Sequence, residues 1–329
     1  EKELVNTFGS PNDTTAKSFF TAASFLKYAT ALKVVRVVPD GSGGSTTAKN
    51  STSGSGGNVG LLIKNRQSYE DSYEGGSANV GVWGAKFPGV LGDSLRVEVC
   101  SSSTAFTGWA YAGEFDKAPG TSEYAAKYGS SADELHIVVL DEDGLISGTK
   151  NTVLEKFAFI SQASDAVKAD GTSNYYKNVI NAESNYIYWL DHFDAPDGQS
   201  LILPNSGEAA SAGIAFGTET SIKSFPLTGG ANGSAVGTSQ LSTGIDLFAD
   251  AETVDVNLLF STNDANGTNT IAEKLISVAN ARKDVVVFVS PPTEDTVGTS
   301  TPAADVKAWA DSLTSTSYAV IDSTSVKVY

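Results

Sequence analysis

Apolar residues along this chain keep two different periods, and the changes between them divide it. From Phe8 to Val38 the pattern reads turn, helix, strand. Phe8-Gly9-Ser10-Pro11 makes the turn, and Asp13 or Thr14 is placed to cap the next helix. Phe19, Ala22, Ala23, Leu26 and Ala29 recur at helical spacing and predict its buried stripe. Lys33-Val34-Val35-Arg36-Val37-Val38 predicts a strand closed by Pro39, with Arg36 needing a carboxylate partner at a domain contact. Residues 40–60, rich in Gly, Ser and Thr, predict a flexible loop.

From about 61 to 225 the period is two. Leu95-Arg96-Val97-Glu98-Val99 predicts a half-buried strand. Glu134 to Leu140 and Leu145-Ile146 flank Asp141-Glu142-Asp143-Gly144 and predict a hairpin. Leu154 to Ser161 fits strand or helix, Phe159 to Val167 and Tyr175 to Ile180 read as helix or helix-loop pieces, and Tyr186 to Leu190 is β-prone.

After Phe225-Pro226-Leu227-Thr228-Gly229-Gly230 a βα rhythm returns. Val254 to Phe260 predicts a strand. Thr270 and Glu273 have capping-box spacing for a helix with Ile271, Leu275, Val278 and Ala279 inside. Val285 to Val289 predicts the next strand, Thr301-Pro302 starts a helix with Val306, Trp309 and Leu313 inward, and Tyr318 to Asp322 adds a strand. The fold class expected is α/β plus α+β. A discontinuous α/β domain with a mainly parallel sheet, 1–38 and 226–329, carries an inserted β-rich domain, 39–225, and the strand 33–38 joins that sheet.

Val285-Val286-Val287-Phe288-Val289 contains nothing polar, as in parallel sheets covered by helices on both faces. Ligands of such sheets sit beyond the carboxyl ends of the strands. Here that end offers Ser290-Pro291-Pro292, with no glycine-rich cradle, nucleophile elbow or metal-ligand cluster. The pattern favours a structural protein.

Composition narrows this further. A net charge of −16, most of it in 39–225, argues against a nucleic-acid backbone as partner. No apolar run reaches the roughly 20 residues that cross a bilayer, and no signal-peptide pattern opens the chain. The single Cys100 leaves no intrachain disulfide, suits a reducing cytoplasm and reads as a small core residue. The chain opens Glu1-Lys2-Glu3-Leu4, holds no methionine and ends in the strand-like Ser325 to Tyr329, so a segment of a longer polypeptide is expected.

Candidate chemistry is sparse. Asp191-His192-Phe193-Asp194-Ala195-Pro196-Asp197-Gly198 could hold Ca²⁺ or another metal but lacks an EF-hand pattern, and a solvated turn is the simpler reading. Asp141-Glu142-Asp143 is a candidate glycosidase pair, yet neighbouring acids at a hairpin tip mostly point into water. His136 reads as structural. Thr228-Gly229-Gly230 lacks the lysine of a phosphate loop. Trp83, Trp109, Tyr111, Tyr186, Tyr188 and Trp189 read as core, or else as a sugar- or protein-binding face. No catalytic residue, cofactor site or metal site is assigned.

Several segments, in order, resemble the tail sheath proteins of contractile-tailed bacteriophages, relatives of pyocin and type VI secretion sheaths. They are Leu4 to Pro11 with Val34 to Val38; Phe87-Pro88-Gly89-Val90-Leu91-Gly92-Asp93-Ser94-Leu95 with the strand to Val99; Leu227 to Gly230; Phe248 to Phe260; Arg282 to Pro292; and Ser317 to Asp322. The likeness is to large-phage sheaths of the phiKZ type. The family's N-terminal arm and C-terminal domain lie outside these residues, so the chain alone is expected to be monomeric. The resemblance implies a virion protein, made in the host bacterial cytoplasm, that assembles helically with other sheath subunits around a tail tube. A baseplate trigger would then drive its contraction. It implies no enzyme activity, cofactor, nucleic acid or membrane. A carbohydrate-binding adhesin or a carbohydrate-active enzyme is the alternative.

Overall fold

The computed structural model describes residues 4–5, 11, 15–41, 46–54, 60–76, 80–193, 203–260 and 269–323. It is mixed α and β, with one parallel and two antiparallel sheets among the described residues. The chain divides into two compact units, Glu1–Thr46 with Ser234–Tyr329, and Thr47–Gly233.

The first unit begins with α1 (Ala16–Phe25). Its half-buried side is the stripe read from the sequence, Phe19, Ala22, Ala23 and, just beyond the helix, Leu26 and Ala29. Asp13 and Thr14 lie outside the described residues. Residues 33–38 do not form a strand, contrary to expectation. Val35 and Val37 instead lie against Gly244 of a later helix, where a Cβ would come within 2.6 Å of Val37 Cγ2. Both are half-buried there, so a helix and not a sheet partner covers part of their apolar surface.

The second unit carries α2 (Arg66–Ser72), β1 (Trp83–Ala85), β2 (Leu95–Cys100), α3 (Ser103–Phe106), α4 (Glu123–Lys127), β3 (Glu134–Asp141), β4 (Thr152–Ser161), α5 (Tyr176–Glu183), β5 (Ile187–Trp189) and β6 (Lys223–Pro226). Four strands form an antiparallel sheet in the order β4-β3-β2-β6, and β1 pairs with β5. The hairpin at 134–141 exists, but its return strand is Thr152–Ser161, and Leu145-Ile146 belongs to the connecting turns. Strand β3 is buried on both faces from Leu135 to Asp141. One face packs with Trp83, Ile187 and Trp189 in the main core, and the other meets Trp109 and Phe115. Each fully buried Leu, Ile or Val there contributes roughly 1.5–3 kcal/mol.

The expected loop 40–60 is corrected in part. Residues 42–45 and 55–59 lie outside the described residues, but Ala48, Asn50, Ser51, Thr52 and Ser53 are buried. Their backbone pairs on both edges, with Thr228 and Ala231 on one side and with Leu61, Trp83 and Ala85 on the other. Small polar side chains permit this close threading, and the ladder satisfies the buried amides.

The first unit resumes with α6 (Thr238–Asp246), β7 (Leu258–Phe260), α7 (Thr270–Arg282), β8 (Val286–Val289), α8 (Pro302–Asp311) and β9 (Ala319–Ile321). The three strands are parallel, in the order β7-β8-β9. Ile271, Leu275, Val278, Ala279 and Trp309 cover Val285, Val287 and Val289. Among the described residues the other face is covered only in part: Phe288 is 41% exposed and Val320 43%, while the ring of Phe25 in α1 lies 5.8 Å from that of Phe260. The capping box of α7 is not made. Glu273 turns instead to accept the Thr314 amide at 2.7 Å.

Candidate functional site

Two of the glycine-bearing segments read from the sequence meet inside the second unit. Gly89 adopts φ 130°, a conformation that favours glycine, and opens a short 3-10 turn, Val90–Ser94, leading into β2. The Asp93 carboxylate Oδ1 accepts both the Ser51 hydroxyl at 2.7 Å and the Gly230 amide at 2.8 Å. Asn232 Oδ1 accepts the Val90 amide at 3.0 Å. A Cβ on Gly230 would collide with Ser51 Oγ and come within 2.5 Å of the Gly89 carbonyl oxygen, while one on Gly92 would reach Ser51 Oγ at 2.6 Å. The junction thus joins 48–53, 87–95 and 227–232. Its glycines are visible in the sequence, but nothing there signals Ser51 as the residue they surround.

The acidic hairpin is taken up by structure. Asp141 Oδ1 accepts Ser94 Oγ at 2.6 Å, and Oδ2 accepts the amides of Ile146 and Ser147 and the Ser147 hydroxyl. Burial alone would raise this carboxyl. The hydrogen bonds from Ser147, Ser94 and Ile146 outweigh it and hold the group below its ordinary value. Glu142 pairs with Arg96 at 2.9 Å, and Asp143 with Lys150 at 3.3 Å. Each of the three carboxylates is held by a different set of partners.

Of the Asp191–Gly198 loop, the described part is anchored. Phe193 is buried against Tyr176, with ring centroids 5.2 Å apart. The Tyr176 hydroxyl lies 2.8 Å from His192 Nδ1, and Asp191 Oδ1 accepts the His192 amide. Asp194 to Gly198 lie outside the described residues. Among the described residues no group of three or more His, Cys, Asp or Glu side chains is placed to hold a metal ion. No helix among them is long and apolar enough to cross a membrane.

His136 and Cys100 face each other across β2 and β3, both fully buried. Burial pushes the Cys100 thiol up to about 11. Trp83, Trp109, Tyr188 and Trp189 are buried, and Tyr111 and Tyr186 are half-buried. Trp83 and Trp189 sit in the main core, while Tyr69 and Tyr188 stack at 4.3 Å in a smaller one. The four buried rings build interiors, and Tyr111 and Tyr186 pack against their edges. Thr228 exchanges both backbone hydrogen bonds with Thr52, an ordinary ladder with no phosphate cradle.

No family model matches the chain. Curated relatives do. The chain is 26% identical to the tail sheath protein of Salmonella phage ViI over an alignment of 398 residues, covering 100% of this chain and 59% of the relative. It is 26% identical to that of Vibrio phage KVP40 over 72% of this chain, and 25% identical to that of Enterobacteria phage T4 over 65%. The chain spans about 59% of the ViI relative and smaller shares, 36% and 29%, of the other two. The likeness to tail sheath proteins carried by the ordered motifs therefore extends along the chain as whole-sequence similarity.

Proposed function

We propose that this homologue of tail sheath proteins is a structural part of a contractile phage tail. It polymerises helically with other copies around an inner tube and shortens on a baseplate signal to drive that tube through the host envelope. The observation that carries the reading is similarity to three named tail sheath proteins over 65–100% of the chain. Head-to-tail contacts that do not close generate open helical filaments, the geometry such a layer requires. In this reading the residues 1–38 and 226–329 act as the sheath core, and 39–225 form an inserted outer domain whose negative charge keeps neighbouring tails apart. The protein is made in the host cytoplasm and ends in the virion.

The role is mechanical and not catalytic. The relatives are sheath proteins, and Asp141, Glu142 and Asp143 are each engaged by other partners. An adhesin would need the aromatic residues at its surface, where Trp83, Tyr188 and Trp189 are not. Immunogold labelling of the phage that encodes the chain tests the proposal. Gold spaced along the whole tail is expected, and label confined to fibres or the head would overturn it.

A further inference from the structure

His136 stands opposite an irregularity in the strand beside it. The β3–β4 register passes from Leu135↔Ile160 to Ile137↔Phe157, so His136 faces two residues, Ala158 and Phe159, in the geometry of a β-bulge. Phe159 takes φ 54°, the left-handed region that a bulky side chain adopts only when its surroundings compel it. The imidazole holds it there. His136 Nδ1 accepts the Phe159 amide at 3.1 Å, and Nε2 lies 2.8 Å from the Lys117 carbonyl oxygen. A carbonyl can only accept, so Nε2 carries the hydrogen and Nδ1 carries a lone pair. The ring is neutral by geometry.

A second proton would go to Nδ1, where it ends the hydrogen bond from the Phe159 amide even though the Leu135 backbone favours the cation. The ring is closed in by Phe115, stacked at 4.2 Å, and by Phe159, edge-on at 4.5 Å, so it cannot turn away without disturbing both. The charged and titratable groups on the packed elements include Arg96, Glu98 and Cys100 of β2, Glu155 and Lys156 of β4, Glu114 and Lys117 of the segment before α4, and, on β3 itself, Glu134, whose Oε2 accepts the Gly120 amide at 2.9 Å. Glu98 is held by Trp109 Nε1 at 2.7 Å and by Arg96, and Glu114 by Lys156 at 3.1 Å. Lys117 Nζ lies 5.2 Å from the Phe159 ring centroid. Both ring nitrogens are taken by backbone groups, so no carboxylate hydrogen-bonds to the imidazole to favour its cation.

The bulge also anchors the chain beyond it. The Phe159 carbonyl accepts Asn174 Nδ2 at 2.8 Å, the Ser161 amide donates to the Asn174 carbonyl at 2.8 Å, and Ser161 bridges to Tyr175. We propose that His136 and this bulge form an acid-released latch: protonation of the imidazole frees the Phe159 amide and opens the 159–175 segment while β2 and β3 stay paired. Burial, opposed by hydrogen bonds to the backbone at Lys117 and Leu135, holds the imidazole below its ordinary value. The latch is therefore closed above the unfolded value of about 6.5 and is lost as pH falls toward the lower folded one.

Amide hydrogen exchange on the whole chain, read residue by residue from pH 7.5 to 4.5 as protection factors, tests this. Phe159 should lose at least tenfold in protection on the acid side, with Val138 unchanged. The only other histidine is His192, so a His192→Gln variant should keep the step. His136→Asn places a non-titrating acceptor near the Nδ1 position and should abolish it. Constant protection at Phe159, loss in step with Val138, loss of the step in His192→Gln, or the same step in His136→Asn would each overturn the latch. The profile of the unaltered chain decides even where His136→Asn does not fold.

Discussion

Arg282 closes its guanidinium on Asp284, two residues further along, with Nη2 2.8 Å from Oδ2 and Nε 2.9 Å from Oδ1. The same side chain, 1% accessible, donates to the carbonyls of Phe248 at 2.7 Å and Val254 at 2.9 Å. One residue thus ties the end of α7, the start of β8 and the segment after α6. Between Arg282 and Asp284, Lys283 turns the chain at φ 64°.

Truncating Arg282 strands two carbonyl acceptors and the carboxylate. Arg282→Ala is expected to lower the stability of the first unit by roughly 2–4 kcal/mol. Asp284→Asn, at an exposed carboxylate, should cost far less. Urea unfolding followed by Trp309, the tryptophan of the first unit's core, reads both.

The junction at Ser51 leaves no room for a methyl group on Gly230. Gly230→Ala drives a Cβ onto the Gly89 carbonyl, which is backbone and yields little, and should destabilise the second unit by about 1–3 kcal/mol. Gly113→Ala, where no atom lies within 4 Å of the added Cβ, is the matched control and should stay within about 0.5 kcal/mol. Thermal or urea unfolding of the two variants side by side checks the contrast.

Cys100 is fully buried, with a thiol pushed up to about 11 by that burial against a weaker opposing hydrogen bond at Ser102. Thiolate is the reactive form. A disulfide reagent at pH 8 should therefore leave the native chain unlabelled over hours and label one thiol promptly in denaturant.

Asp141 supplies an acid dependence separate from that of His136. Its carboxyl lies below the ordinary value when folded, so its contribution is complete above the unfolded value of about 3.9 and is lost as pH falls through the folded one. Asp141→Asn should lower stability at neutral pH and flatten the decline below pH 4. Denaturation midpoints from pH 3 to 7 for both proteins measure this.

The elements with a strong period are legible in the chain alone. The α7 stripe, Pro302 at the head of α8 and the parallel pairing at Val287 follow from spacing and from the absence of polar residues. Residues 33–38 mislead because Val35 and Val37 bury equally well on a helix as in a sheet, and Gly244, which admits them, is remote in sequence. The segment 48–53 is illegible for the opposite reason. Asn50, Ser51 and Thr52 have little apolar surface, and the segment's burial depends on glycines at 81, 92 and 230 that let it approach neighbouring chain. Within the candidate site the glycines are visible in the sequence and their partner Ser51 is not. The run Ile187 to Trp189 reads as β-prone with its aromatics either in a core or on a binding face, and the structure buries all three of its side chains.

Helical reconstruction by electron cryomicroscopy of the extended tails proposed to contain this chain tests the proposed sheath role most directly. The account predicts that the β7-β8-β9 parallel sheet and the β4-β3-β2-β6 antiparallel sheet each recur once per subunit in the layer surrounding the inner tube. A sheath layer whose subunits contain neither sheet, with the chain found elsewhere in the particle, would contradict it.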